Sequence, residues 1–356
     1  MAKFGKLTSA LCAFAFVGSV VAGPTAMAQA DEEIADLQSE FEGRLESVAY
    51  SEEAEAVVRY PFELAAGIAS GDLREEARPF ADRLARSREV LSALEEGKGI
   101  VRRGVGDQDR VYRFEETGRL IPYRLYVPTA WDGEEALPLV VILHGGGGDE
   151  NEMFELDDGK LAKLAERYNY IVVSPLGYDP VGAYGSPIRL PSVYGSETER
   201  GQAVGGPERA TLLKRSERDV LNVLEMTAQE YGVDRSRIFL TGHSMGSGGT
   251  WYLAHQYPHL WRAIAPSAGP FFIDDYDFER LRGLGIMIVQ GSGDPLSLAA
   301  NRQLASDLLD RGFGVNYVET PAVDHGETFG ASLPTIFEFF HRQRLADDPT
   351  RVLELE

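Results

Sequence analysis

Residues 237–251 carry the pattern in this 356-residue sequence that is best suited to covalent chemistry. The segment reads Arg-Ile-Phe-Leu-Thr-Gly-His-Ser-Met-Gly-Ser-Gly-Gly-Thr-Trp, so a short apolar run enters a tight turn and a helical pattern leaves it. A serine at the apex of such a turn is held in a strained backbone conformation that exposes its hydroxyl above the sheet. Gly242 and Gly246 allow the strand and the helix to approach each other closely. The pattern therefore predicts that Ser244 is a nucleophile.

A serine hydroxyl is a poor nucleophile at neutral pH, so it needs a general base and a carboxylate that orients that base. Asp294 follows the apolar run 286–290, and His325 follows the run 315–318, so both lie just after predicted strands. The chain order Ser, Asp, His is the order found with a serine on this kind of turn. We predict that His325 is the general base and Asp294 the orienting carboxylate. Asp324 is the weaker alternative, because side chains of neighbouring loop residues generally diverge.

The other five of the six histidines are excluded as the base by their positions. His255 and His259 belong to the helix after the nucleophile or to its end, and His341 belongs to the last helix. We expect His243, next to the nucleophile, to point elsewhere, and His144 to support the glycines that follow it.

The four glycines at 145–148 predict an oxyanion-binding loop. Attack by Ser244 on a carbonyl places negative charge on oxygen, and preorganised backbone N–H groups stabilise that charge. One donor is expected from Met245, the residue after the nucleophile, and the other from Gly145 or Gly146. A phosphate-binding loop is the alternative, but no Lys-Ser or Lys-Thr pair follows these glycines.

The region 31–97 reads as three helices with breaks near 50–51 and 70–72, because its apolar residues recur at helical spacing. We interpret it as a helical cap or spacer. A lid that shapes substrate access is the alternative.

From residue 97 onward the hydrophobic period changes from 3.6 to 2, which predicts two antiparallel strands around the turn 116–118. Buried strands at 137–143 and 170–173 follow, separated by a helix at 153–168. Further strands are predicted at 263–265, 286–289 and 315–318, and further helices at 216–231, 296–309 and 333–341. The alternation predicts an α/β fold with a doubly wound, mostly parallel sheet, preceded by an N-terminal helical segment.

The stretch 175–207 is rich in Gly, Pro, Tyr and Ser and has no sustained period, which is typical of a long functional loop. Tyr178, Tyr184 and Tyr194 are candidates for the wall of a substrate pocket. The alternative is that these rings only anchor the loop.

The N-terminus resembles a cleaved signal peptide. Lys3 and Lys6 precede an apolar stretch at 7–21, and small residues at 26–30 precede an acidic run. The stretch is shorter than the roughly 20 residues of a membrane span. We therefore expect a secreted or periplasmic protein, with an uncleaved anchor as the alternative. The only cysteine, Cys12, lies inside the signal, so the mature chain has neither a disulfide nor a thiolate metal site.

The formal net charge is −21, so the protein should repel nucleic acid and anionic membranes. A small-molecule or oligomeric substrate is the expected partner. The predicted site consists of side-chain and backbone groups only, and we expect no metal ion and no cofactor.

The glycine loop, the nucleophile turn and the late Asp and His resemble α/β-hydrolase esterases of the bacterial polyhydroxybutyrate depolymerase and feruloyl esterase type. The resemblance covers about 110–344 and implies an α/β-hydrolase fold that cleaves carboxylic esters through an acyl-enzyme, with Ser244, Asp294 and His325 as its triad. The chain is also similar, more loosely, to the catalytic domain of prolyl oligopeptidase-type serine peptidases. It departs from secreted family members in lacking cysteine in its mature part and a recognisable polymer-binding module.

Two other functions remain open: a prolyl oligopeptidase-like serine peptidase, and a non-catalytic binding protein that keeps the hydrolase fold. The predicted division is a signal peptide over 1–30, a helical segment over 31–99, a catalytic domain over 100–346 and a C-terminal tail over 347–356.

Overall fold

The computed structural model describes residues 24–73, 80–99, 103–187, 207–269 and 276–345. Eight strands lie in these ranges: β1 Gly106–Arg113, β2 Leu120–Val127, β3 Leu139–Leu143, β4 Ile171–Pro175, β5 Ile238–His243, β6 Ala263–Ser267, β7 Gly285–Gly291 and β8 Val315–Thr320. The α-helices in the same ranges are α1 Pro24–Leu45, α2 Glu52–Ser70, α3 Phe80–Glu95, α4 Glu152–Glu155, α5 Lys160–Tyr168, α6 Pro207–Tyr231, α7 Met245–Gln256, α8 Leu298–Asp310 and α9 Thr328–Leu345.

The strands form one sheet in the order β1-β2-β4-β3-β5-β6-β7-β8. The six strands from β3 to β8 run parallel, and β2 pairs antiparallel with β4, where Leu125 lies opposite Val173. The predicted α/β class with a mostly parallel sheet is confirmed. The central strands are buried along their whole length, which explains their continuous apolar runs.

The sheet has a topological switch point at β3, which lies between β4 and β5. The chain adds β4 on one side of β3 and then returns to add β5 on the other side. In open α/β sheets, ligands bind at the carboxyl ends of the strands at such a point. His144 follows β3 directly and Ser244 follows β5 directly, so the sheet alone brings these two predicted site residues to one edge.

Apolar side chains from the sheet and its flanking helices form one buried cluster. Its members include Val140, Ile142, Leu161, Val172, Phe239, Ala265, Met287, Phe337 and Phe340. Phe239 stacks on Phe340 with ring centroids 4.8 Å apart, which ties the strand that ends at the nucleophile to the last helix. The rigid framework under the site is therefore hydrophobic.

The chain divides into two compact units, of which the first is Met1–Arg102 with Arg110–Pro122 and the second Arg103–Asp109 with Tyr123–Glu356. The first unit contains α1, α2 and α3, as the helical periodicity predicts. Ser51 caps α2 by accepting a hydrogen bond from Ala54 N–H, and Gly71 ends the helix with a left-handed φ of 79°. Phe41 and Phe62 meet edge to face at 5.3 Å in the core of this unit.

Three helices differ from their predicted bounds. The predicted helix 153–168 is two helices, because Asp157, Asp158 and Gly159 have positive φ angles of 49°, 54° and 71° that interrupt it. Helix α6 begins at Pro207 rather than at 216, since proline is favoured in the first turn of a helix. Helix α9 is longer than predicted and tolerates Pro334 in its interior.

The predicted signal peptide lies largely outside the described residues, which begin at Pro24 with helix α1. The tail 347–356 also lies outside them. In the described part of the chain, no helix combines the length and the apolar composition needed to cross a membrane.

Candidate active site

Ser244 lies at the junction of β5 and α7 with φ 53° and ψ −109°, a strained conformation for a residue other than glycine. The two glycines around it are required by close packing. A methyl group on Gly242 would lie 2.5 Å from Gly246 O, and one on Gly246 would lie 2.7 Å from His144 O. The turn therefore has the geometry that the sequence pattern predicts, with the serine at its apex.

The structure brings the three predicted triad side chains together from different parts of the chain. His325 Nε2 lies 3.0 Å from Ser244 Oγ, and His325 Nδ1 lies 2.9 Å from Asp294 Oδ2. Both distances correspond to hydrogen bonds. The imidazole can therefore accept the serine proton, while the carboxylate fixes the tautomer of the imidazole. Asp324, the weaker alternative, instead accepts a hydrogen bond from Glu327 N–H at the start of α9.

Asp294 is fully buried and is held by several donors. Its Oδ2 accepts hydrogen bonds from Gln290 Nε2 at 2.9 Å and from Ser297 Oγ at 2.7 Å, and its Oδ1 accepts Leu296 N–H at 2.8 Å. Burial acts to raise the pKa of Asp294, but the bonds from His325, Ser297, Gln290 and Leu296 outweigh it and hold the pKa below its ordinary value. The carboxylate therefore stays ionised beside the imidazole.

His243 lies closer to the site than we expected. Its ring centroid is 4.9 Å from that of His325 and 6.1 Å from that of Phe329. Burial, followed by the charge of His325, lowers the pKa of His243 to about 3. The expectation that this side chain points elsewhere was wrong, because its ring lies against the ring of His325. His243 therefore gives the base a neutral aromatic neighbour.

The glycine loop 145–148 follows β3, and the hydrogen bonds of its N–H groups show which of them is available to a substrate. Gly145 N–H donates to Glu152 Oε2 at 3.2 Å, Gly147 N–H to Pro180 O at 2.8 Å, and Gly148 N–H to Gly145 O at 3.2 Å. Gly146 N–H has no acceptor among the described residues. Of the two candidate donors, Gly146 therefore has an N–H that is available, whereas the Gly145 N–H is engaged by Glu152.

The second predicted donor, Met245 N–H, lies in the first turn of α7 and likewise has no acceptor in the described part of the chain. The first N–H groups of a helix have no partner inside the helix, and they favour negative charge. Gly146 and Met245 are thus available as a pair of donors at the carboxyl ends of β3 and β5.

Tyr178 and Tyr184, two of the three tyrosines predicted to line a pocket, are buried instead of exposed at a pocket wall. Tyr184 is fully buried, and its hydroxyl donates to His144 O at 3.2 Å. Tyr178 is 7% exposed and carries Arg215 over its ring at 5.6 Å. These contacts favour the alternative in which the rings anchor the loop. Tyr194 lies outside the described residues.

Sequence reasoning missed two polar residues that contact the site. Gln290, the penultimate residue of β7, is buried and donates to Asp294. Glu152 begins α4 and accepts from Gly145. A polar residue at the end of an apolar strand is the signal that could have found Gln290. Glu152 is one of several acids in the run 149–152, so its sequence context does not distinguish it.

No group of three or more His, Cys, Asp or Glu residues in the described ranges is arranged to hold a metal ion.

The parallel sheet, with a nucleophile turn after one strand and an imidazole after a later one, defines the α/β-hydrolase fold. The chain belongs to the family described as Esterase PHB depolymerase, whose model matches residues 121–308. The matched segment includes Ser244 and Asp294 and ends before His325.

Two curated relatives show more distant similarity. Feruloyl esterase B of Talaromyces stipitatus is 24% identical over 163 residues, which cover 46% of this chain and 40% of that protein. Acetylxylan esterase A of Aspergillus oryzae is 25% identical over 180 residues, which cover 50% of each chain. The chain thus spans half or less of the length of the curated relatives it matches.

A solved structure described as a ferulic acid esterase superposes with a TM-score of 0.50 at 14% identity. The superposition covers 67% of this chain and 98% of that chain. At this identity the likeness concerns the fold alone.

Proposed function

We propose that the protein is an exported serine hydrolase that cleaves carboxylic esters through an acyl-enzyme. The observation that carries the proposal is the 3.0 Å separation between Ser244 Oγ and His325 Nε2, in a ring whose other nitrogen bonds Asp294. Hydrogen-bonded nucleophile, base and orienting carboxylate are the parts that acyl transfer requires. Membership of an esterase family supports the choice of an ester as the substrate.

In the first half-reaction Ser244 Oγ attacks the ester carbonyl carbon while His325 Nε2 takes the hydroxyl proton. The electrons of the carbonyl double bond move to oxygen, and the N–H groups of Gly146 and Met245 stabilise the resulting oxyanion. Asp294 remains ionised throughout and stabilises the imidazolium. The intermediate then collapses, the C–O bond to the alcohol breaks, and the leaving oxygen takes the proton from His325.

In the second half-reaction water replaces the alcohol. The water oxygen attacks the acyl carbon while His325 Nε2 accepts a proton from the water. A second oxyanion then forms beside the N–H groups of Gly146 and Met245. Collapse releases the carboxylic acid and returns the proton to Ser244 Oγ. The cycle needs only water as co-reactant.

The names of the curated relatives suggest feruloyl and acetyl groups as the first acyl groups to test. We propose a small or oligomeric ester as the substrate. The basic and apolar pattern of the first 30 residues supports export to the periplasm or the medium.

Two assays test the proposal. A fluorophosphonate probe should label the wild-type protein, whereas a non-catalytic binding protein of the same fold would not react. Hydrolysis of p-nitrophenyl acetate, butyrate and ferulate should exceed hydrolysis of a proline-containing anilide. A strong preference for the anilide would instead identify a peptidase.

The variant Ser244→Ala is the control for both assays. It should lose labelling and turnover completely, and its free energy of unfolding should stay within about 1 kcal/mol of the wild type, because the apex hydroxyl contributes little packing. Turnover that persists in Ser244→Ala would exclude the proposed nucleophile.

A further inference from the structure

The peptide groups on both sides of Gly145 are held by side chains. In the peptide group before Gly145, the carbonyl oxygen His144 O accepts a hydrogen bond from Tyr184 Oη at 3.2 Å. The N–H of the same peptide group, Gly145 N–H, donates to Glu152 Oε2 at 3.2 Å. The following peptide has its carbonyl, Gly145 O, bonded by His144 Nδ1 at 2.7 Å. Its N–H is that of Gly146. Because a peptide group is planar, fixing Gly145 O also fixes the direction of the Gly146 N–H.

The His144 ring is completely buried and faces two carbonyl oxygens. Nδ1 lies 2.7 Å from Gly145 O and Nε2 lies 2.8 Å from Leu176 O. A carbonyl oxygen only accepts hydrogen bonds, so both contacts can be made only when both ring nitrogens carry a proton. A negative charge near the ring favours such a pair of donor contacts.

Glu152 provides the nearby negative charge. A methyl group placed on Gly148 would overlap Glu152 Oε2 and lie 3.2 Å from His144 Nδ1, so carboxylate and imidazole converge on the same small space. Glycine at 148 leaves that space to the carboxylate. The same Oε2 atom bonds Gly145 N–H, which places the charge against the oxyanion loop.

We infer that Glu152 is a positioning residue for oxyanion stabilisation: its carboxylate holds Gly145 N–H and lies beside the His144 ring, whose Nδ1 contact with Gly145 O aims the Gly146 N–H at the substrate. The inference rests on the proposed function, since it assigns the oxyanion to that N–H. Glu152 does not touch the reacting atoms and acts only through the loop.

Burial raises the pKa of Glu152 above its ordinary value, and Asp149 adds to the increase, while the neighbouring His144 and the Gly145 N–H act to lower it. The two groups that favour the charged carboxylate are the two that this arrangement places beside it.

The test compares Glu152→Gln with the wild type. Glutamine keeps the size of the side chain and an oxygen that can accept Gly145 N–H, but it removes the charge. We expect kcat to fall by about 10- to 100-fold, since a misplacement of about 1 Å at an active site can cost about 100-fold. KM for p-nitrophenyl acetate should change by less than about two-fold, because the ground-state ester makes weak use of the oxyanion donors.

A tetrahedral inhibitor separates positioning from a general loss of structure. A trifluoromethyl ketone forms an oxyanion on Ser244, so its affinity should fall by about the same factor as kcat/KM, whereas a non-hydrolysable substrate analogue should bind as before. Wild-type kcat in folded Glu152→Gln would overturn the inference, and so would equal weakening of both inhibitors.

Two further variants complete the design. Glu155→Gln, on the same short helix but with an exposed carboxylate, is the matched control and should keep wild-type kcat. If Glu152→Gln fails to fold, Gly148→Ala displaces the same carboxylate from the backbone side and should give the same split between kcat and KM. A wild-type protein that does not hydrolyse any of the esters would reject the proposed function. An active wild type with an equally active Glu152→Gln would reject only the role of Glu152.

Discussion

Gln290 and His325 donate to the same oxygen of Asp294, each at 2.9 Å. Gln290 is the fully buried penultimate residue of strand β7, and Asn301 Nδ2 from helix α8 donates to its side-chain oxygen. The Asp294 carboxylate is therefore held by Gln290 from the sheet as well as by Leu296 and Ser297 from its own loop. This arrangement explains how a residue in a Gly-Ser-Gly-Asp-Pro turn can keep one direction.

Asp294→Asn should abolish most of the activity while preserving the fold. The amide can donate to His325 Nδ1, which leaves the ring with the wrong tautomer to accept the Ser244 proton. We expect kcat to fall by up to about 10⁴-fold, the loss seen when the carboxylate of a serine triad is replaced by an amide. Steady-state hydrolysis of p-nitrophenyl acetate measures the effect, and circular dichroism checks the fold.

Asp324→Asn is the matched control for that prediction. Its side chain accepts Glu327 N–H at 3.0 Å at the start of α9, and asparagine can keep this bond. Activity should therefore stay within about two-fold of the wild type, a range that surface changes seldom exceed. The reverse pattern, with Asp324→Asn inactive and Asp294→Asn active, would reassign the orienting carboxylate.

Tyr184→Phe distinguishes an anchoring ring from a pocket wall. The variant loses the bond to His144 O, so we expect the free energy of unfolding to fall by about 1 kcal/mol, the usual net value of a buried hydrogen bond. KM should stay the same for acetyl and feruloyl esters, since the buried ring does not face the solvent. A rise in KM for the feruloyl ester alone would contradict the anchoring role and indicate that Tyr184 lines the pocket. Tyr50→Phe, at a ring that is 43% exposed, is the control.

The sequence predicts the parts of this site that depend on local chain geometry. The turn at Ser244 follows from its two glycines, and the positions of Asp294 and His325 follow from the ends of apolar strands in a parallel sheet. Their convergence is predictable because the carboxyl ends of parallel strands meet at one edge. The candidate donors, Met245 with Gly145 or Gly146, follow from the position after the turn serine and from the loop after an early strand.

The other features of the site depend on tertiary contacts, which the hydrophobic periodicity of the sequence does not predict. The bond of Glu152 to Gly145 is a contact between the start of α4 and the glycine loop, and it has no sequence signal. The break between α4 and α5 rests on left-handed Asp157 and Asp158, which are ordinary residues in a helical pattern. The approach of His243 to His325 depends on the exact course of a strained turn. Whether the segment 31–99 acts as a cap or as a lid stays a prediction.

Gly246→Ala should disable the nucleophile turn. The added methyl would lie 2.7 Å from His144 O and closer still to Leu143 O, and neither backbone atom can move without disturbing β3. We expect a loss of about 1–3 kcal/mol in unfolding free energy, as for other overpacked positions, together with a large fall in kcat. Urea denaturation and ester hydrolysis measure the two effects. Gly43→Ala, where the methyl meets open space, should keep full activity, and an unaffected Gly246→Ala would contradict the packing argument.

Acid sensitivity should depend on His243. Burial lowers its pKa to about 3 in the folded protein, whereas an unfolded histidine has a pKa of about 6.5. Between these values the unfolded chain binds a proton that the folded chain refuses, so the stability present above pH 6.5 is lost as the pH falls toward 3. The loss approaches about 1.4 kcal/mol per pH unit for one group.

His243→Gln removes that group, so its unfolding free energy should fall less steeply with acidification than that of the wild type. Between pH 7 and pH 4.5 the two proteins should diverge by about 2.5 kcal/mol. Urea denaturation at a series of pH values measures the difference, and His259→Gln, at an exposed histidine, should follow the wild-type curve. Parallel curves for wild type and His243→Gln would mean that the folded protein accommodates a charged His243, and the neutral neighbour assigned to His325 would then be wrong.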